Sequence, residues 1–152
     1  MIKEDQMSSW QLSWDRTTIG SMTKELVPKV KTRITWSGIR TIDVSYARML
    51  LGSTNLNEDM NRMNFTDSPN CECSEDRESI DHFLLHCKLY KEARKNLLNS
   101  IFDIWNQKKS IGNLSVSKHL LLGPNFSPKL NAKEDIKVKL ALFEFLQSTK
   151  AI

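Results

Sequence analysis

All three cysteines of this 152-residue chain fall between positions 71 and 87, with His82 between the second and third. Cys71, Cys73, His82 and Cys87 give the spacing C-x-C-x8-H-x4-C. Three thiols and an imidazole this close in sequence can close on one tetrahedral Zn2+. Nothing else in the chain limits its folding so strongly. The surrounding segment is polar and has few apolar residues with which to order itself, and a bound metal supplies that ordering.

The spacing has mechanical consequences. Asp67-Ser68-Pro69-Asn70 is turn chemistry and introduces the cysteine pair. The single residue between Cys71 and Cys73 makes a tighter chelate loop than the C-x2-C of most structural zinc sites. Glu78 to Leu85 reads as a helical turn or two carrying His82. His82 and Cys87 are five apart, about 140° around an ideal helix. The helix must therefore end or loosen before Cys87 if both are to reach one ion. His86 is a rival ligand. Three other readings compete: cysteines as small buried hydrophobes, a disulfide leaving one thiol over, and a Cys87–His86 nucleophile pair. The last needs facing side chains, which sequence neighbours rarely supply.

Length fits one domain or two very small ones. Few glycines and prolines favour helices, and the longest apolar run is far short of a membrane span. Met1 to Gln6 lacks the apolar core of a secretory leader, so an intracellular, reducing location is expected. The net charge of +4 is uneven. Residues 61–90 are acidic and residues 91–152 are basic. The expected organisation is a helical part at 1–60, a metal-binding segment at 61–90 and a helical part at 91–152.

Ser8-Ser9 reads as the start of a helix with a Trp10–Trp14 face, ended by Gly20. Met22 to Val27 is a second helical piece, stopped by Pro28. Val30 to Trp36 alternates as a short strand would. Asp43 is the expected N-cap of a helix over 44–51 that stops at Gly52. Leu89, Ala93, Leu97, Leu98, Ile101, Phe102 and Trp105 form a helical stripe. Ser117 to Leu122 is a short helix, and Glu134 to Gln147 a final amphipathic one. The predicted fold is mainly α, with an irregular metal-binding loop in the middle and at most one short hairpin near 30–40 or 65–74.

Three segments resemble the tail of non-long-terminal-repeat retrotransposon polyproteins, after the reverse transcriptase. They are Trp10 to Asp15 with Gly20 and Pro28; Tyr46 to Gly52 with Leu56-Asn57; and Ser68 to Cys73 with Glu78 to Tyr90 and Arg94. The third is the specific one, and the match covers roughly residues 10 to 98. The resemblance implies a zinc-knuckle-like module on a helical platform that helps to hold RNA or DNA, with Cys71, Cys73, His82 and Cys87 as ligands. The chain departs from the family's pattern at three places. Ser53 stands where a histidine is usual, Ser74 where a glycine follows the second cysteine, and no glycine lies near Asn64.

No Asp-Asp pair occurs, so the two-metal chemistry of a polymerase has no visible ligands, and the acidic residues near the cysteines read as a solvated rim. The expected function is a non-catalytic, zinc-stabilised module with weak, sequence-tolerant RNA or DNA binding and no small-molecule substrate. Lys29, Lys31, Arg33, Arg40, Lys108 and Lys109 are the expected phosphate-binding residues, and Trp36 a stacking platform. The alternatives are a helical interaction domain with purely structural zinc, and an inert remnant.

Overall fold

The computed structural model describes residues 3–107, 116–123 and 130–149. The chain forms α1 (Glu4–Arg16), α2 (Ser21–Leu26), α3 (Arg40–Leu51) and α4 (Asn57–Arg62). A π-turn (His82–His86) and a 3₁₀ turn (Lys88–Tyr90) lead into α5 (Lys91–Asn106), followed by α6 (Lys118–Leu122) and α7 (Ala132–Gln147). Among the described residues there are no strands, and one isolated antiparallel bridge joins Asn70 to Arg77. The mainly α expectation holds.

The two longest helices, α5 and α7, form the principal pair, with α3 and α6 against α7 and α2 against α3. Their meeting faces build one core from Tyr46, Met49, Leu50, Leu97, Ile101, Leu121, Leu122, Val138, Leu142, Phe145 and Leu146. Phe83 and Leu84 of the π-turn are fully buried in the same core. The Phe83 ring lies 5.1 Å from that of Phe145 and 5.0 Å from that of Tyr90. The segment bearing His82 is therefore anchored by apolar burial, whose loss on truncating a core Phe costs about 3–5 kcal/mol.

Several local expectations need correction. α1 begins at Glu4, where Glu4 and Asp5 suit the positive end of the helix, rather than at Ser8-Ser9. It ends at Arg16, where the Lys24 ammonium takes the carbonyls of Asp15 and Thr17. Gly20 does not stop α1: at φ 70° it precedes α2 as its N-cap. α1 buries no residue, and Trp10 is exposed. Its inward side carries the half-buried Met7, Gln11 and Trp14. Gln11 bonds the Pro28 carbonyl and the Val30 N–H, and the Trp14 indole donates to the Val27 carbonyl at 3.0 Å.

Residues 30–36 form no strand: Val30 and Lys31 lie in a turn closed by the Thr32 N–H on the Lys29 carbonyl at 3.0 Å, although the alternation in exposure is real. Lys29, Lys31 and Arg33 face solvent while Val30, Thr32 and Ile34 are half-buried. Asp43 is not an N-cap. It sits one turn inside α3 and reaches back to accept from the Ser37 N–H and hydroxyl, both at 2.8 Å, and from the Gly38 N–H. Gly52, at φ 66°, ends α3 as expected.

In α5 the buried positions are Arg94, Leu97, Ile101 and Ile104, whereas Leu89 and Phe102 of the expected stripe are exposed. α7 starts earlier than Glu134, from an Asn131 capping box in which Asn131 and Glu134 bond each other's backbone. Its buried face includes Lys139, whose ammonium pairs with Asp135 at 2.7 Å and lies 4.5 Å from the centre of the Tyr46 ring.

Candidate metal centre

The cysteine loop folds by backbone bonding. The Cys71 N–H donates to the Asp76 carbonyl at 2.9 Å, the Ser74 N–H to the Cys71 carbonyl at 3.0 Å, and the Glu78 N–H to the Pro69 carbonyl at 2.8 Å. The turn from Cys71 to Ser74 puts both thiols on its inner side, which is how one intervening residue suffices. Ser74 leaves the turn at φ 63°.

The other two side chains come from the π-turn. The Cys87 N–H donates to the His82 carbonyl at 2.7 Å, a bond across five residues in place of the four of an α-helix. The extra residue per turn brings Cys87 back towards the face that bears His82. The five-residue spacing required the helix to end or loosen there, and it loosens by one residue.

The four side chains converge. One donor atom from each of Cys71, Cys73, His82 and Cys87 lies within 4.8 Å of all the others, and all four residues are buried. Cys71 Sγ is 3.6 Å from Cys87 Sγ, and Cys73 Sγ is 3.2 Å from His82 Nε2. Ligands on a tetrahedral zinc, with bonds of about 2.3 Å to sulfur, lie about 3.8 Å apart. The cluster brackets that separation, and three thiols with one imidazole are the soft donor set such an ion takes. The group could hold a metal ion. His86 is exposed and lies outside the cluster. All three cysteines are free, so the disulfide alternative falls away.

The thiols are not equivalent. Burial pushes the Cys71 thiol up to about 12. For Cys73 burial also opposes ionisation, but the Glu75 N–H and the neighbouring thiols outweigh it and hold that thiol below its ordinary value. By its own dipoles, then, the fold favours the Cys73 thiolate, and a dication would help to ionise the buried Cys71 thiol.

The nearby acidic residues do more than form a solvated rim. Glu78 accepts from the Asn57 N–H at 2.7 Å and so caps α4. Asp81, beside His82, pairs with Lys118 at 2.9 Å, and Lys118 also pairs with Glu25 at 3.0 Å. Glu75 pairs with Lys88 at 3.0 Å. Asp59 is buried, bonded by the Thr54 N–H and hydroxyl and by Arg62. Thr54 lies two residues before Leu56, the N-cap of α4, so no capping-box spacing announced its bond to Asp59. Arg94 is buried with no signal in its own type, since arginine at an apolar stripe is ordinarily read as exposed.

Lys29, Lys31, Arg33 and Arg40 are exposed. Trp36 is 47% exposed, with its ring edge-on to Tyr46 at 6.0 Å. Lys108 and Lys109 lie outside the described residues. No described helix is long and apolar enough to cross a membrane.

No protein-family profile matches the chain, and no solved structure matches it. Two curated relatives do. The Pol polyprotein of type-1 retrotransposable element R1 from Bradysia coprophila is 24% identical over 94 residues, 62% of this chain and 9% of the relative. The Pol polyprotein of element R1 4 from Nasonia vitripennis is 29% identical over 93 residues, 60% of this chain and 24% of the relative. The chain thus spans a small part of the length of either. The resemblance to retrotransposon polyproteins that the motifs carried is borne out.

Proposed function

We propose that the chain is a non-catalytic, zinc-stabilised module that binds single-stranded RNA or DNA, and a remnant or relative of the tail of a retrotransposon polyprotein. The observation that carries the reading is the buried convergence of Cys71, Cys73, His82 and Cys87 in a chain similar to R1 Pol polyproteins. Zinc is the ion that fits three thiolates and an imidazole closed off from solvent. Lys29, Lys31, Arg33 and Arg40 would meet phosphates, Trp36 would stack on a base, and Lys108 and Lys109 would extend the basic surface.

Two measurements test it. Protein purified without added metal should carry close to one zinc per chain by elemental analysis. Less than about a tenth of an equivalent would sink the zinc reading, given the affinity of structural sites. Fluorescence anisotropy with labelled single-stranded RNA and DNA at low salt should show binding that weakens steeply as salt rises. A second reading, a protein-interaction domain with structural zinc alone, is favoured by the exposed Trp10, Leu12, Leu51 and Phe65. Zinc without any binding at about 100 μM protein, the weak end of non-specific affinities, would select it.

A further inference from the structure

The π-turn creates a problem that one side chain resolves. Because the Cys87 N–H is committed to the His82 carbonyl, the Phe83 carbonyl loses its helical donor, and the Leu84 carbonyl gains none from the Lys88 N–H. The chain then leaves helical geometry at Cys87, at φ −58° and ψ 125°, so no following turn restores it. Phe83 and Leu84 are fully buried. A buried carbonyl without a donor destabilises the fold by its full desolvation penalty.

Arg94, one turn into α5, supplies those donors. Its Nε donates to the Leu84 carbonyl at 2.7 Å, and Nη2 donates to the carbonyls of Phe83 and Cys87, both at 2.9 Å. The residue is 8% exposed, and these three partners are backbone oxygens, none a carboxylate. A guanidinium taken out of water without an anion is expensive unless its donors are filled and a negative charge lies near. Three thiolates and a neutral imidazole around a dication carry one net negative charge. Arg94 bonds the backbone of one of those cysteines, so the two charges are complementary.

We propose that Arg94 is a positioning residue for the metal centre: its planar fork pins the His82–Cys87 turn in ligand geometry before any ion arrives. This rests on the reading that the four side chains take one metal. Lysine cannot replace it, because one ammonium does not span three carbonyls. Arg94 touches no metal ligand atom. It acts through the carbonyl of Cys87 and through the two residues whose side chains anchor the turn in the core.

The test uses the full chain with Arg94→Lys, Arg94→Met and a remote core control, Leu50→Ala. Zinc affinity is read by competition with a chromophoric chelator, and ligand geometry by the absorption of added Co2+. For Arg94→Met, zinc affinity should fall about 10- to 100-fold, the usual loss when a residue supporting a ligand is removed. Arg94→Lys should keep its helical circular dichroism yet lose affinity, and its Co2+ thiolate charge-transfer band should weaken as Cys87 moves. Leu50→Ala should lower the thermal midpoint and leave the Co2+ spectrum as it is. Affinity and Co2+ spectra unchanged in both Arg94 variants would overturn the proposal.

A second measurement needs no variant. The Arg94 Nε proton of the metal-free, unsubstituted chain should be protected from solvent exchange by nuclear magnetic resonance. Exchange there at the rate of a free guanidinium would overturn the proposal even if neither variant folds. An unsubstituted chain that takes up neither Zn2+ nor Co2+ would defeat the metal reading itself, and the clamp with it. Metal uptake that ignores Arg94 would defeat the clamp alone.

Discussion

Ser74 holds a left-handed backbone angle, φ 63°, that serine rarely adopts, and Asn64 holds φ 62°. The resemblance leads one to expect a glycine at Ser74 and another near Asn64, so the departures noted in the sequence fall on or near real conformational demands. A side chain in the left-handed region costs about 1–2 kcal/mol, and asparagine bears it better than serine. Ser74→Gly should therefore stabilise the zinc-loaded chain by about 0.5–1 kcal/mol, net of the looser unfolded chain. Asn64→Gly should be nearly neutral, and urea midpoints would compare the two. Asp43 yields a pH prediction. Burial works against its ionisation, but bonds from Ser37 and Gly38 outweigh it and hold its pKa below the ordinary carboxylate value. The folded state then binds fewer protons than the unfolded one. Asp43 contributes its full stability above the unfolded value of about 4 and loses it as pH falls through the lower folded value. Asp43→Asn should lower the thermal midpoint at pH 7, and the difference from the unsubstituted chain should shrink as pH falls through the lowered folded value.

At the scale of elements, the helices were legible and their faces were not. The 3.6-residue period announced α5 and α7, but the buried stripe of α5 runs through Arg94 and that of α7 through Lys139. Arg94 is inside because of the π-turn carbonyls, seven to eleven residues away, whereas Lys139 is held by Asp135 one turn earlier and lies against the distant Tyr46 ring. No local pattern encodes the π-turn or the Tyr46 contact. The cluster was legible because short-range ligand spacing is a local property, and the loosened turn followed from the five-residue gap between His82 and Cys87. What spacing could not tell is that the metal segment has two differently held halves. The loop at 67–77 rests on backbone bonds and the donor cluster, whereas 79–86 carries Phe83 and Leu84 into the main core. Chelation should therefore expose the amides of 67–77 to hydrogen exchange first, with those of Phe83 and Leu84 protected until global unfolding. Simultaneous loss of protection in both halves would contradict this two-step order.

At the scale of the molecule, the exposed basic residues of the segment between α2 and α3 alternate with half-buried ones. Lys29, Lys31 and Arg33 are thus solvent-facing around the turn at 30–31, with Arg40 at the start of α3. Replacing all four by alanine should flatten the dependence of nucleic-acid affinity on salt by up to about 3 units of the log–log slope, at roughly 0.7 for each single-strand phosphate that is no longer neutralised. Because the four side chains are exposed, the thermal midpoint should change little. An unchanged slope would move the binding surface elsewhere on the chain. Phe83 has another consequence, for the order of manufacture. It packs on Phe145, near the far end of the chain, and Asp81 pairs with Lys118. A ribosome adding about 5–20 residues per second leaves roughly 3–12 s between making the two rings. Throughout that interval the thiol loop can already close while the apolar side of its supporting turn has no cover. The nascent chain thus presents a finished metal-binding loop on an unfinished platform, and whatever shields Phe83 and Leu84 during those seconds decides how much of the product reaches its native state.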